Sequence, residues 1–127
     1  MEDSLGSSHP ATCSSRNGLA TLLAESGQLE AAAPLCAKAL AGFEESLGPA
    51  HPETLSSVHN LATMSLDAGR AEEAAPLFRR ALEGREEVLG TAHPATLATV
   101  HAYARLLRET GEQDVAAALL EKYGTAA

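Results

Sequence analysis

The sequence is poor in residues that mark several common classes of protein. Only 3% of its 127 residues are aromatic and none is tryptophan. A core therefore has to be built from leucine and alanine, which suits closely packed helices better than a β-sandwich. Basic residues are also scarce, 9 against 17 acidic ones, so the net charge is −8. A chain with this charge is not expected to bind nucleic acid or anionic lipid through its net field.

Membrane and secretion signals are absent as well. No apolar run approaches the roughly 20 residues that a helix needs to span a bilayer, and the N-terminal MEDSLGSSHP lacks the basic start of a secretory signal. The two cysteines, Cys13 and Cys36, are too few for a disulfide framework and fit a reducing compartment. We therefore expect a cytoplasmic protein of one domain, residues 1–127, with no membrane partner.

The dominant feature is an internal repeat with a period of 42 residues. One motif occurs three times, as LGSSHPAT, LGPAHPET and LGTAHPAT. Residues 5–46 and 47–88 are identical at 21 of 42 aligned positions, far above chance. The sequence therefore divides into repeat 1 at residues 5–46, repeat 2 at residues 47–88 and repeat 3 at residues 89–127, the last with a truncated second helix.

Each repeat is predicted to form two helices. The first helix begins at a His-Pro pair, since proline is tolerated in the first turn; these pairs are His9-Pro10, His51-Pro52 and His93-Pro94. It ends at a glycine, which adopts a left-handed conformation without strain; these glycines are Gly27, Gly69 and Gly111. One pair of helices cannot bury its apolar stripe, whereas stacked pairs can. The prediction is an all-α protein, an α-solenoid of about six antiparallel helices.

Prolines and the chain ends add further expectations. Pro34 and Pro76 lie inside the second helices and predict that these helices start late or bend. Leu5-Gly6 matches the end of a second helix that is otherwise missing, and the large Tyr123 stands where repeat 2 has Ala81. We interpret Tyr123 as a stop to further stacking, and expect an apolar surface at an end of the array to be an interaction site.

These residues resemble the tetratricopeptide repeat family. The LGxxHPxTL motif, its 42-residue period and the sequence Asn60-Leu61-Ala62 are similar to the kinesin light chain type of repeat. The resemblance implies a right-handed superhelix whose concave face holds an extended or helical peptide, with the first helix of each repeat lining the groove. It implies protein or peptide partners and no cofactor.

The resemblance also assigns groove positions, residue by residue. They are Asn17, Thr21, Ser56, His59, Asn60, Thr63, His101, Arg105 and Arg108. The amide of Asn60 both donates and accepts hydrogen bonds, as a peptide backbone requires. One group within the family clamps a C-terminal carboxylate with lysine, asparagine and arginine from three repeats. Only Asn60 matches that clamp here, so binding to chaperone C-terminal tails is not expected.

Charged and titratable groove residues leave alternatives open. Arg105 and Arg108 are interpreted either as part of an ordinary solvated helix face or, in a sharper hypothesis, as selecting an acidic residue on the ligand, because arginine holds a carboxylate through two hydrogen bonds. His59 and His101 are interpreted as polar groove-lining residues, and a pH-sensitive contact or a metal site are the alternatives.

The remaining histidines and the cysteines are interpreted as structural residues and not as catalytic or metal-binding ones. The histidines of the three His-Pro pairs lie one repeat apart, too far to share a metal ion, and are interpreted as helix-start residues. Cys13 and Cys36 align with apolar residues and are expected in the core. No catalytic motif occurs. The predicted function is a non-catalytic protein–protein interaction scaffold with no metal, and the alternative is a self-association module, such as a homodimer, that uses an exposed end of the solenoid.

Overall fold

A computed structural model describes residues 9–124 and shows six α-helices, with no β-strand in that range. The all-α prediction is therefore confirmed. Repeat 1 contains α1 and α2, repeat 2 contains α3 and α4, and repeat 3 contains α5 and α6. The bounds are Pro10–Glu25 for α1, Leu29–Leu47 for α2, Pro52–Asp67 for α3, Ala71–Leu89 for α4, Pro94–Glu109 for α5 and Gln113–Lys122 for α6.

The repeated histidine begins each first helix as its N-cap. The Nδ1 atoms of His9, His51 and His93 accept hydrogen bonds from the backbone N–H two residues further on, at 3.0–3.1 Å. The proline that follows occupies the first helical position, where its missing N–H has no intrahelical partner. The interpretation of these histidines as helix-start residues is confirmed.

The glycine turns have the expected left-handed geometry. Gly27 and Gly69 have φ angles of 87° and 83°. Around Gly27, the N–H of Gln28 donates to the carbonyl of Leu23 at 2.8 Å, and the N–H of Gly27 donates to Ala24 at 3.0 Å. This pair of hydrogen bonds ends α1 and reverses the chain within three residues. The reversal sets the antiparallel course of α1 and α2.

The second helices run through their prolines. α2 begins at Leu29 and α4 at Ala71, so Pro34 and Pro76 lie at the sixth residue of each helix. The late start predicted from these prolines is therefore wrong. At this position a proline removes the hydrogen bond to the carbonyl four residues earlier and crowds that carbonyl. Packing of α2 and α4 against the first helices on either side offsets this cost.

Alanine and cysteine fill the closest approaches in the core. Fully buried alanines recur at the same two places in each repeat: Ala20, Ala62 and Ala104 in the first helices, and Ala32, Ala74 and Ala116 in the second. Cys13 and Cys36 are also fully buried, as predicted, and neither is in a disulfide. Burial raises the pKa of the Cys36 thiol to about 12. Small side chains at these positions allow helix axes to approach closely.

The array curves with the first helices on its inner side. Each helix packs against the next, and α1 contacts α3 directly, as α3 contacts α5. Within residues 9–124, the backbones of α2, α4 and α6 do not approach one another in this way. Side chains link them instead: Arg80 of α4 pairs with Glu44 of α2, and Tyr123 bonds Glu86. The first helices therefore share the concave face.

Tyr123 does not have the position that a stop to stacking would need. Its hydroxyl donates to Glu86 of α4, and its ring packs against the core shared by repeats 2 and 3. It therefore points back to the preceding repeat and away from the open end of the array. Leu5 and Gly6 lie outside the described residues.

Candidate functional site

A depression lies on the concave face between α1 and α3. It has a volume of about 280 Å³ and is lined by Thr21, Ala24, Glu25, His59, Asn60, Thr63, Met64 and Asp67. Four of the predicted groove residues, Thr21, His59, Asn60 and Thr63, therefore lie together. The helical period brings them there, because residues three or four apart share one face of a helix.

The polar groups of the depression differ in what they still offer a ligand. The hydroxyls of Thr21 and Thr63 donate to backbone carbonyls of their own helices, those of Asn17 and His59, both at 3.0 Å. Their oxygen lone pairs remain as acceptors. The side-chain amide of Asn60 has no hydrogen-bond partner among residues 9–124, although the residue is only partly exposed. The depression thus holds one unused amide between two hydroxyl oxygens.

The rim of the depression is acidic. Glu25 and Asp67 line it, and Asp67 is paired with Arg105 from α5. Arg105 also donates to Glu109 at 2.9 Å, and the hydrogen bonds that it donates to Asp67 and Glu109 raise the pKa of Arg105. Of the two arginines predicted to select an acidic ligand residue, only Arg108 is therefore left, because two carboxylates already hold Arg105. A ligand carboxylate would have to displace one of them.

A buried arginine lies behind the concave face, between repeats 2 and 3. Arg85 of α4 is 7% exposed. Its Nη1 atom donates to the carbonyl of Ala95 at 3.0 Å and to the hydroxyl of Thr99 at 2.8 Å, and its Nη2 atom donates to Ser56 at 3.1 Å. No carboxylate among residues 9–124 pairs with it. Ser56, predicted as a ligand contact, is thus engaged by Arg85.

His59 belongs to the same network. Its Nδ1 atom lies 3.1 Å from the hydroxyl of Thr99, and its ring packs edge-on against Phe78, with ring centroids 6.1 Å apart. Burial, and then the nearby charge of Arg85, lower the pKa of His59 to about 4. The side chain is therefore neutral near pH 7, which removes the basis for a pH-sensitive contact in the neutral range.

The other predicted residues are scattered along the face. The Asn17 side chain turns toward α2, where its oxygen lies 3.6 Å from the thiol of Cys36. His101 and Arg108 are exposed on α5. In the described part of the chain, no three side chains of histidine, cysteine, aspartate or glutamate come close enough to hold a metal ion.

Sequence reasoning missed Arg85 although a signal was present. Repeat 1 has Phe43 at the equivalent position, 42 residues earlier, and Phe43 is 1% exposed. A charge that replaces an apolar core residue in an otherwise regular repeat indicates a buried polar network.

Antiparallel helix pairs that stack at a regular repeat, with one continuous inner face, define an α-solenoid. The family model of the tetratricopeptide repeat matches residues 11–87 and 56–123. The chain belongs to the tetratricopeptide repeat family. A comparison with curated proteins finds no match.

Solved structures support a kinesin light chain-like repeat. A Podosopora anserina kinesin light chain-type protein with nearly identical TPR-like repeats is similar, at 30% identity and a TM-score of 0.87. The match covers 95% of this chain and 57% of that one. A variant of the same protein gives 31% identity and a TM-score of 0.80, over 94% and 57% of the two chains.

BtubC (BKLC) from P. vanneervenii shares the fold, at 20% identity and a TM-score of 0.83, over 90% of this chain and 45% of that one. The chain thus spans about half the length of these structures. None of the helices described for it has the length and apolar content needed to cross a membrane.

Proposed function

We propose that the chain is a scaffold that binds a peptide or an extended segment of a partner protein on its concave face. The observation that carries this proposal is the Asn60 amide, which lies in the depression between α1 and α3 and has no hydrogen-bond partner in the part of the chain that the structure describes. A polar group in such a place gains most from a ligand that satisfies both its donor and its acceptor. A peptide backbone has this pair of groups.

The surroundings of Asn60 fit a backbone ligand. The hydroxyl oxygens of Thr21 and Thr63 accept hydrogen bonds from ligand N–H groups, while Asn60 binds one peptide unit through both of its polar atoms. Selection of an acidic ligand residue, predicted from Arg105 and Arg108, now rests on Arg108, since Arg105 is held by Asp67 and Glu109.

The proposal also includes that the chain is non-catalytic and cytoplasmic. Burial raises the pKa of both thiols, Cys13 and Cys36, which keeps them protonated and poorly nucleophilic at neutral pH. Cysteines outside disulfides fit a reducing compartment. Membership of the tetratricopeptide repeat family supports a role in binding a protein partner and not in catalysing a reaction.

The test is a peptide selection followed by a matched pair of variants. Peptides selected from a random display library on the intact chain would be measured against Asn60→Ala and against Gln28→Ala, which removes an amide from an exposed turn. Asn60→Ala should weaken binding about tenfold, the loss of one to two hydrogen bonds, and Gln28→Ala should have no effect. Peptides that bind all three proteins equally would contradict the concave-face proposal.

A second candidate function is self-association through an exposed end of the solenoid. It is favoured by Leu19 and Leu22 of α1, which are 49% and 65% exposed. Adjacent exposed leucines on one helix face are typical of an interaction surface.

A further inference from the structure

The first helices of repeats 2 and 3 have a face that the preceding repeat covers. We call it the leading face; its apolar half consists of Leu61 and Met64 in α3 and of Tyr103 and Leu106 in α5. Met64 is 5% exposed and packs in one core with Ala32 and Cys36 of α2. Leu106 is 3% exposed and shares a core with α4. Inside the array, Met64 and Leu106 are therefore buried, and Leu61 and Tyr103 are partly buried.

In repeat 1 no helix of the described range 9–124 covers the same face. A shift of 42 residues places Leu19 at the position of Leu61, and Leu22 at that of Met64. No helix precedes α1 among the described residues. Exposure accordingly rises from 5% at Met64 to 65% at Leu22, with an apolar residue at both positions. The leading face of α1 therefore carries leucines at positions that are apolar in the internal interfaces, but these leucines are exposed to solvent.

The internal contacts show which part of a second helix covers this face. Phe78 of α4 stacks on Tyr103 with ring centroids 6.1 Å apart, and Arg79 donates to the Tyr103 hydroxyl at 3.4 Å. Ala75 packs in the same core. All three residues lie in the first half of α4. The cover is therefore the N-terminal half of a second helix, which presents a small residue, an aromatic ring and one long polar side chain.

The last helix retains this half. α6 is 10 residues long, against 19 for α2 and α4. The positions of Ala75, Phe78 and Arg79 are occupied in α6 by Ala117, Leu120 and Glu121. Ala117 and Glu121 are exposed. We call this exposed side of α6 the trailing face; Tyr123 does not obstruct it, because that side chain points back to α4.

We propose that a second copy of this chain docks the trailing face of its α6 on the leading face of α1, head to tail, in the register of the internal repeat contacts. This inference rests on the second proposed function and names its two surfaces. This contact would continue the internal contact between repeats: α1 presents large residues where α3 and α5 do, and α6 presents a small alanine where α4 does. Because the two faces differ, each added copy leaves both a free leading face and a free trailing face, and growth does not close at a dimer.

Three single substitutions test the two faces in the intact chain by light scattering at increasing concentration. Leu22→Glu changes the leading face and Ala117→Glu changes the trailing face, and both sites are exposed, so the fold is retained. Val88→Glu alters an exposed apolar residue elsewhere, 42% exposed, and is the matched control. The natural chain and Val88→Glu should grow in mass beyond a dimer, whereas each face variant alone should remain a monomer.

Mixing the two face variants is the decisive step. Leu22→Glu keeps its trailing face and Ala117→Glu keeps its leading face, so an equimolar mixture should form a heterodimer and nothing larger. Cross-linking with a short bismaleimide should then join Leu19→Cys of one copy to Glu121→Cys of another, the counterparts of Tyr103 and Arg79, which bond at 3.4 Å.

The other outcomes would overturn the proposal in distinguishable ways. If Ala117→Glu associates while Leu22→Glu does not, two leading faces pair with each other, and self-association stands with a different geometry. If the natural chain is monomeric at every concentration, the second proposed function also fails. If only a chain without residues 1–8 associates, those residues cover the leading face.

Discussion

The guanidinium of Arg85 lies 2.8 Å from the hydroxyl of Thr99, in the place that Phe43 fills one repeat earlier. A charged group thus occupies a core position and is satisfied only by neutral oxygens, without a carboxylate among residues 9–124. Burial without an ion pair is costly, and it lowers the pKa of Arg85 itself. This network joins repeats 2 and 3 and reaches the proposed ligand site through His59, which contacts Thr99.

Arg85→Met should raise the free energy of unfolding by about 1–2 kcal/mol, because an apolar side chain of similar length removes the desolvation cost of the buried charge. Urea denaturation measures this change. The same variant should raise the pKa of His59, which NMR titration reports, since the charge of Arg85 is one cause of its depression. Arg85→Ala is the control and should destabilise the fold, because it leaves a cavity. A less stable Arg85→Met protein would show that the hydrogen bonds outweigh desolvation.

His59 should make the fold sensitive to acid. Its folded-state pKa of about 4 lies below the ordinary value of 6.5, so the unfolded chain binds the proton more readily. The contribution of His59 to the free energy of unfolding is fully present above pH 6.5. It is lost as the pH falls toward 4, and the loss is at most about 3 kcal/mol. The difference in stability between the natural protein and His59→Gln, measured across this pH range, isolates the effect. A difference that does not vary with pH would refute it.

Gly84→Ala should destabilise the protein by about 1–3 kcal/mol. A Cβ atom at Gly84 would lie 2.5 Å and 2.9 Å from the two Cδ atoms of Leu55, and Leu55 is 1% exposed and cannot move freely. Gly18→Ala is the matched control, because Gly18 also lies inside a helix but has no atom within 4 Å of such a Cβ. The control should stabilise the fold by about 0.5–1 kcal/mol. Thermal denaturation of the two variants measures the difference. Equal shifts of the melting temperature in Gly84→Ala and Gly18→Ala would contradict the steric argument.

Local structure was predictable wherever a few adjacent residues decide it. His51-Pro52 is enough to begin a helix, because the histidine accepts the N–H of Glu53 and the proline needs no donor. Gly69 is enough to end one, because only glycine adopts its φ of 83° without strain. The 42-residue period then predicts stacking, since each repeat alone leaves its apolar stripe uncovered.

Part of the concave site was predictable for the same reason. Thr63 and Asn60 lie three residues apart on one helix, so their common face follows from helical geometry. The charge of the site was not predictable in this way. Arg105 was expected to await a ligand, yet it pairs with Asp67, 38 residues away along the chain.

The sequence by itself therefore determined the helices, their order and the buried alanines, because these depend on contacts within one turn or on a regular period. Only the tertiary structure decided which polar groups remain available. It placed Arg85 in the core, occupied Arg105 with Asp67, and left the Asn60 amide without a partner among residues 9–124. Such pairings depend on distances between side chains of different repeats, and these distances are set by the packing of whole helices.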